Sequence, residues 1–344
     1  MNSGSTIDLF SDTVTRPTPE MRRVISQAQV GDEQRLEDPT VTALIDEVCQ
    51  RLGKPAGLFL PSGTMCNLVA VKAHTHAGDA AFVGHNCHIL RCETGAAAAV
   101  SGLVLDVVPS EDGRFGGHDL QACLYQSNPY SAIPRLVCVE QTHNFAGGAI
   151  WPLQDLKEIR GVARERGLAV HMDGARLFNA VVASGVSAQD YAEQCDSVWV
   201  DFTKGLGAPL GAVLCGDEDF IDLARRYKHM FGGALRQAGM MAAGCLYALN
   251  HHVERLAEDH RRAERLARCL SESCGFEVRP VDTNLIFFKP GASQPEAFLK
   301  ALGEHGIRMS AVGAWVRAVT HLDISDSDIE KTEKALLALD PAGL

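Results

Sequence analysis

With 344 residues, 46% hydrophobic and 22% charged, the chain has an ordinary globular composition and can bury a substantial core. A formal net charge of −11 offers no electrostatic footprint for nucleic acid. No spanning apolar run or basic amphipathic stretch fits a membrane role. The eleven cysteines show no CxxC spacing, and MNSGSTIDLFSD lacks the basic and apolar regions of a signal peptide. The expectation is reduced thiols and a cytoplasmic protein, with Cys87/Cys92 and Cys269/Cys274 structural.

Residues 1–20 read as an extended, proline-containing arm followed by a helix. GLFLPSGTMCNLVAV (57–71) reads as strand, turn and helix. Ser62, Gly63 and Thr64 open that helix, where free backbone N–H groups and the dipole favour a phosphate. The ordinary alternative is a plain N-cap by Ser62 or Thr64. His74 and His76 are expected at its solvated end. AAFVGHNCHI puts His88 just past a strand, where a satisfied loop histidine is the ordinary reading.

From residue 135, strand-like RLVCVE (135–140), LAVHMD (168–173), SVWVDF (197–202) and GAVLCG (211–216) follow one another, with a helical block at 152–167. The alternation predicts an α/β fold with a mostly parallel sheet. The short Gly205–Gly211 turn leaves the last strand pair free to run antiparallel. Glu140, Asp173 and Lys204 fall at strand carboxyl ends, where ligands collect in such sheets. Helices are expected over 240–249, ahead of His251 and His252, and over 256–270. A smaller α/β unit follows, with strands near NLIFF and AWVRAV. The expected division is an arm at 1–20, a large domain at 21–250 and a small domain at 251–344.

Several chemistries are poorly supported. GLGAPLG is spaced GxGxxxG and lies between two strands, which disfavours a dinucleotide site. No Walker loop, GxSxG elbow or HExxH is present, and the histidines lack the partners of a metal centre, so none is expected. A lysine, an aspartate and a phosphate-accepting turn remain. Pyridoxal phosphate requires that set: an amine for a Schiff base, a carboxylate for the pyridine nitrogen and a phosphate cradle.

SDTVTRPTPEM (11–21), EDPTV (37–41), PSGTMCNL (61–68), THNFAGG (142–148), HMDGARLFNA (171–180), TKGLGAP (203–209), FGGALRQAG (231–239) and VTHLD (319–323) resemble the threonine aldolase family over nearly the whole chain. The resemblance implies a pyridoxal-phosphate enzyme of the aspartate-aminotransferase type, with a large domain and a smaller C-terminal one. It implies retro-aldol cleavage of a β-hydroxy-α-amino acid, L-threonine or L-allo-threonine by default, to glycine and an aldehyde. A bulkier substrate such as a phenylserine, β-elimination and transamination are the alternatives.

By position, Lys204 would be the Schiff-base lysine and Asp173 the partner of the pyridine nitrogen. Gly63 and Thr64 would hold the phosphate, joined by Thr203 and by Arg236 from a neighbouring subunit. His88 would stack on the ring and is a candidate for moving protons. Ser11, Arg176 and Arg317 would hold the substrate carboxylate, with Arg176 also near the cofactor. Glu93 and His143 lie in matched motifs without a firm role, and Asp201 reads as structural. A shared site implies a homodimer or homotetramer. The chain departs from the family pattern at Phe10, Arg35, Leu36, Cys92, Thr94–Ala96 and Tyr130, on the substrate side.

Overall fold

The β-branched and aliphatic runs of the first two-thirds of the chain assemble into one seven-stranded sheet in the computed structural model, which describes residues 6–291 and 294–339. Residues 1–5 of the expected arm, and 292–293 and 340–344 of the expected small domain, lie outside the described residues. An arm strand, β1 (Ile7–Asp8), precedes β2 (Ala56–Leu60), β3 (Asp79–Gly84), β4 (Val104–Val108), β5 (Ile133–Glu140), β6 (Ala169–Gly174), β7 (Ser197–Asp201) and β8 (Ala212–Gly216). The large sheet has the order β2-β8-β7-β6-β5-β3-β4. From β4 to β7 all pairings are parallel. Only β8 runs the other way, against both β7 and β2. The connection from β7 spans only residues 202–211, too short for a crossover helix.

Neighbouring residues on these strands face opposite layers, as period-two geometry requires. Phe59, Val198 and Val200 enter one core cluster, while Leu58, Leu60 and Trp199 enter another on the opposite face. Helices Pro39–Leu52 and Gly63–His74 cover these two faces. Both layers are largely apolar, and Glu140, Asp173 and Asp201 lie at or next to strand carboxyl ends.

The later helices run Gly239–His251 and Leu256–Arg268, each end within two residues of expectation. Beyond them lie β9 (Glu277–Val278), β10 (Leu285–Lys289), β11 (Ile307–Arg308), β12 (Ser310–Val312) and β13 (Trp315–Val319). Four of these form an antiparallel sheet ordered β12-β13-β10-β9. Its core holds Phe276, Phe288, Phe298 and Ile329, together with Ile7 and Leu9 from the arm. The arm is thus not loose: β1 pairs in parallel with β11, some 300 residues along the chain.

His74 departs from expectation. Its ring stacks on Phe220 at 4.4 Å and its Nε2 meets Ser197 Oγ at 2.7 Å. The packed helix Glu218–Met230 supplies that apolar wall, and burial lowers His74 to about 4. His76 is exposed as expected, whereas His252 is buried and bonded to the Leu206 carbonyl at 2.7 Å.

Candidate active site

Parallel register brings the strand ends level. Glu140 is the direct neighbour of Asp173, and Asp173 that of Trp199. β7 then ends at Asp201, and Lys204 follows three residues later. Lys204 Nζ forms an ion pair with the buried Asp201 carboxylate and lies 5.8 Å above the Trp199 ring. Asp201 Oδ1 also accepts from the Thr203 backbone N–H at 2.9 Å and its hydroxyl at 2.8 Å. Asp201 is therefore in direct contact with the lysine, beyond the structural role read from sequence. Gly207, at φ +75, closes the following turn in a conformation that favours glycine.

Asp173 is 1% exposed. Its Oδ1 accepts from the Ala175 N–H at 3.0 Å and its Oδ2 from Asn67 Nδ2 at 2.8 Å. Burial, reinforced by Glu140, pushes its carboxyl up to about 6. Beside it, His88 Nδ1 meets Glu93 Oε1 at 2.9 Å, and the His88 N–H donates to Glu140 at 2.7 Å. Burial opposes protonation of His88, but the Glu93 hydrogen bond and the Asp173 and Glu140 charges outweigh it and raise the imidazole.

Atoms of His88, Glu93 and Asp173 lie within 4.8 Å of one another, a spacing that a cation could use. The Asn67 amide donates to both carboxylates, at 2.6 and 2.8 Å, so the cluster is knit together by hydrogen bonds.

Gly63 opens helix Gly63–His74, the helix that carries Asn67, and Ser62 caps it by accepting from the Met65 N–H at 3.3 Å. A Cβ on Gly63 would fall 2.2 Å from the Trp199 ring, so the turn can approach β7 only as glycine. Thr64 beside it is exposed.

A second cluster forms where the arm meets the small sheet. Arg176 is buried, with Nε and Nη2 each 2.7 Å from the Asp12 carboxylate. Its Nη1 and that of Arg317 both approach Asn144 Oδ1, at 3.5 and 3.4 Å. Arg317 Nη2 donates to the Phe10 carbonyl at 3.2 Å, while its buried Nε has no partner. Ser11 is buried next to Asp12, its Oγ accepting from Thr13. Arg317 thus has an unused donor, whereas most of the Arg176 fork is held by Asp12.

Two residues stand apart within this chain. The Arg236 guanidinium is 61% exposed and pairs with Asp32 at 3.0 Å. His143 is buried near Gly84 and Gly113, with Nδ1 accepting from the Ala146 N–H at 3.3 Å. Among the departures, Cys92 is exposed and ends the short helix begun by His88, Leu36 is 63% exposed at φ +60, and Tyr130 is 98% exposed. Asp12, Asn67 and Trp199 were missed in the sequence. Asn67 was detectable as a lone amide on the sheet-facing side of an apolar helix. Asp12 carried no local signal.

The amine, imidazole and helix-opening glycine turn suit pyridoxal phosphate. So does Asp173: burial and Glu140 lift its carboxyl despite the nearby His88, and a pyridinium N–H would stabilise its charged form. Fold and site together define a pyridoxal-phosphate enzyme of fold type I. The beta-eliminating lyase family matches residues 8–292. A low-specificity L-threonine aldolase of Escherichia coli (strain K12) is 39% identical over 320 residues, covering 93% of this chain and 95% of that protein. A threonine aldolase from Leishmania major superposes with a TM-score of 0.84 at 21% identity, covering 96% and 98% of the two chains. An SPT solved with PLP gives 0.74 at 17%, covering 97% and 87%. The chain belongs to the threonine aldolase family.

Proposed function

We propose that the chain cleaves L-threonine or L-allo-threonine to glycine and acetaldehyde by retro-aldol scission of the Cα–Cβ bond. The carrying observation is the convergence of Lys204, Asp173 and the His88–Glu93 pair at adjacent strand ends. Pyridoxal phosphate, when bound, supplies an electron sink for the bond broken at the substrate α-carbon.

The chain's own residues do the rest. Lys204 would supply the amine that holds the cofactor, and Asp201 stands beside that amine to pair with its charged form. Asp173 keeps a proton on the ring nitrogen. Gly63, Thr64 and Thr203 receive the phosphate. Arg317 and Ser11 hold the substrate carboxylate, with Arg176 braced behind them by Asp12; the partnerless Arg317 Nε suits a bidentate contact. His88, directly or through water, takes the β-hydroxyl proton, with Glu93 fixing its ring. A proton is returned to the α-carbon, so the cleavage needs neither water as a reactant nor a redox partner.

We also propose a homodimer or homotetramer, in which the exposed Arg236 reaches a neighbouring subunit's phosphate. A cytoplasmic setting is supported by eleven free cysteines. The separate apolar clusters support domains at 21–250 and 251–344, with the arm at 1–20 serving the second.

The deciding assay is a panel of threonine, allo-threonine and phenylserine scored for glycine and aldehyde. A keto acid or ammonia as principal product would refute the assignment. Lys204→Ala should lose both turnover and the visible absorbance of lysine-bound cofactor; a coloured, active variant contradicts its role. Sedimentation as an active monomer would contradict the shared site.

A further inference from the structure

Asn67 is fully buried in helix Gly63–His74, and none of the chemistry above uses it directly. Its surroundings leave one orientation. The Trp199 indole can only donate, and its Nε1 lies 2.7 Å from Asn67 Oδ1, so that atom is the oxygen. His171 Nε2, 3.1 Å from the same oxygen, must then carry a hydrogen. Burial lowers His171 to about 3, which keeps it neutral, so its Nδ1 is an acceptor and takes the Ser197 hydroxyl hydrogen at 2.8 Å. The Ser197 oxygen in turn accepts from His74 Nε2 at 2.7 Å. Every donor in this chain points the same way, from His74 through Ser197 and His171 to Asn67. The two amide hydrogens that remain go to Glu93 at 2.6 Å and Asp173 at 2.8 Å.

We infer that Asn67 is the positioning residue of this site: locked by Trp199 and the His74–Ser197–His171 chain, its amide holds Asp173 and Glu93 side by side as carboxylates. The inference rests on the pyridoxal-phosphate reading of the site. Two buried carboxylates this close repel, and the common remedy is for one to keep a proton. An amide donating to both offsets the repulsion without neutralising either. Asp173 then stays free to engage a pyridinium, and Glu93 stays free to orient His88. The aligned dipoles behind the amide present their positive ends to the carboxylates and strengthen that effect. Asn67 thus serves the ring nitrogen and the imidazole at once, without touching either.

The test is cofactor affinity, measured by titrating resolved full-length protein with pyridoxal phosphate and independent of any aldolase assay. Asn67→Leu should weaken binding by about ten- to a hundredfold, the worth of one or two hydrogen bonds to a charged group. Asn67→Leu/Asp173→Ala should lose clearly less than the sum of the two single variants, because Asn67 acts in part through Asp173. Asn67→Asp preserves shape and the contacts to Trp199 and His171 while removing the amide donors, so it covers a Leu variant that fails to fold; it should weaken binding too. Wild-type affinity in Asn67→Asp, or simple additivity in the double variant, would overturn the inference. Failure of the unaltered protein to bind pyridoxal phosphate would instead overturn the reading of the site.

Discussion

Replacing Asp12 by alanine strips Arg176 of its carboxylate and leaves a guanidinium buried between the arm and the large sheet. The pair makes two hydrogen bonds of 2.7 Å, with side-chain exposures of 5% for Arg176 and 0% for Asp12. Losing one partner of such a pair costs about 3–5 kcal/mol, mostly as the penalty of the orphaned charge. Against a typical stability of about 5–15 kcal/mol this is a large fraction. Urea unfolding followed by tryptophan fluorescence reads the loss. The companion variant Asp12→Ala/Arg176→Leu removes both charges and should be more stable than Asp12→Ala alone. The reasoning fails if Asp12→Ala loses less than about 1 kcal/mol, or if the two substitutions simply add. Arg176 also holds the Asp12 carboxyl far below its ordinary value of 3.8 despite burial. A lowered acid stabilises the fold above the ordinary value and loses that contribution as pH falls toward the lowered one. The pair should therefore survive mild acid.

Gly63→Ala should fold yet bind pyridoxal phosphate poorly, because the new methyl would displace the Trp199 ring; unchanged affinity in a titration would show that the turn tolerates a Cβ. Acidification below pH 6.5 should destabilise the cofactor-free chain through three of its histidines. Burial lowers His74 and His260 to about 4 and His171 to about 3, so the unfolded chain binds more protons as pH falls from 6.5 toward those values. His171, fully buried, contributes about 1.4 kcal/mol per pH unit across that window, and thermal melts at stepped pH should show the slope. Asp173 works in the opposite sense: raised to about 6, it destabilises the cofactor-free fold when ionised. Melts of Asp173→Ala without cofactor should therefore gain on wild type more at pH 7 than at pH 5; an equal difference at both would remove that burden from Asp173.

What could be read in the sequence were features with local causes. Apolar runs ending in Glu140, Asp173 and Lys204 announce strands whose carboxyl ends carry polar groups, and parallel register then levels them without further information. The Ser62–Gly63–Thr64 opening of a helix is likewise a local pattern. Features set by distant chain were not readable. Asp12 meets Arg176 across 164 positions and Asn67 meets Asp173 across 106, with no periodicity to signal either contact. His74 looked like a solvated helix end because the wall that buries it comes from Phe220. Asp201 was underestimated because a strand-end carboxylate gains meaning only when the following turn folds Lys204 back upon it.

The arm has a consequence for the order in which the molecule can be made. Its strand partners, in a two-stranded sheet of their own, are Ile307 and Arg308, and Arg16 pairs with Asp323. At about 5–20 residues per second, a ribosome needs roughly 15–60 s to travel from one side of these pairs to the other. The strands of the large sheet can form meanwhile, but the arm has no β11 to pair with, and without it nothing seats Asp12 against Arg176. The same long-range closure makes nucleation from the two chain ends slow. The substrate-carboxylate side of the site is thus finished last, after the cofactor side is already assembled, and a nascent chain could take up its cofactor before it could handle a substrate.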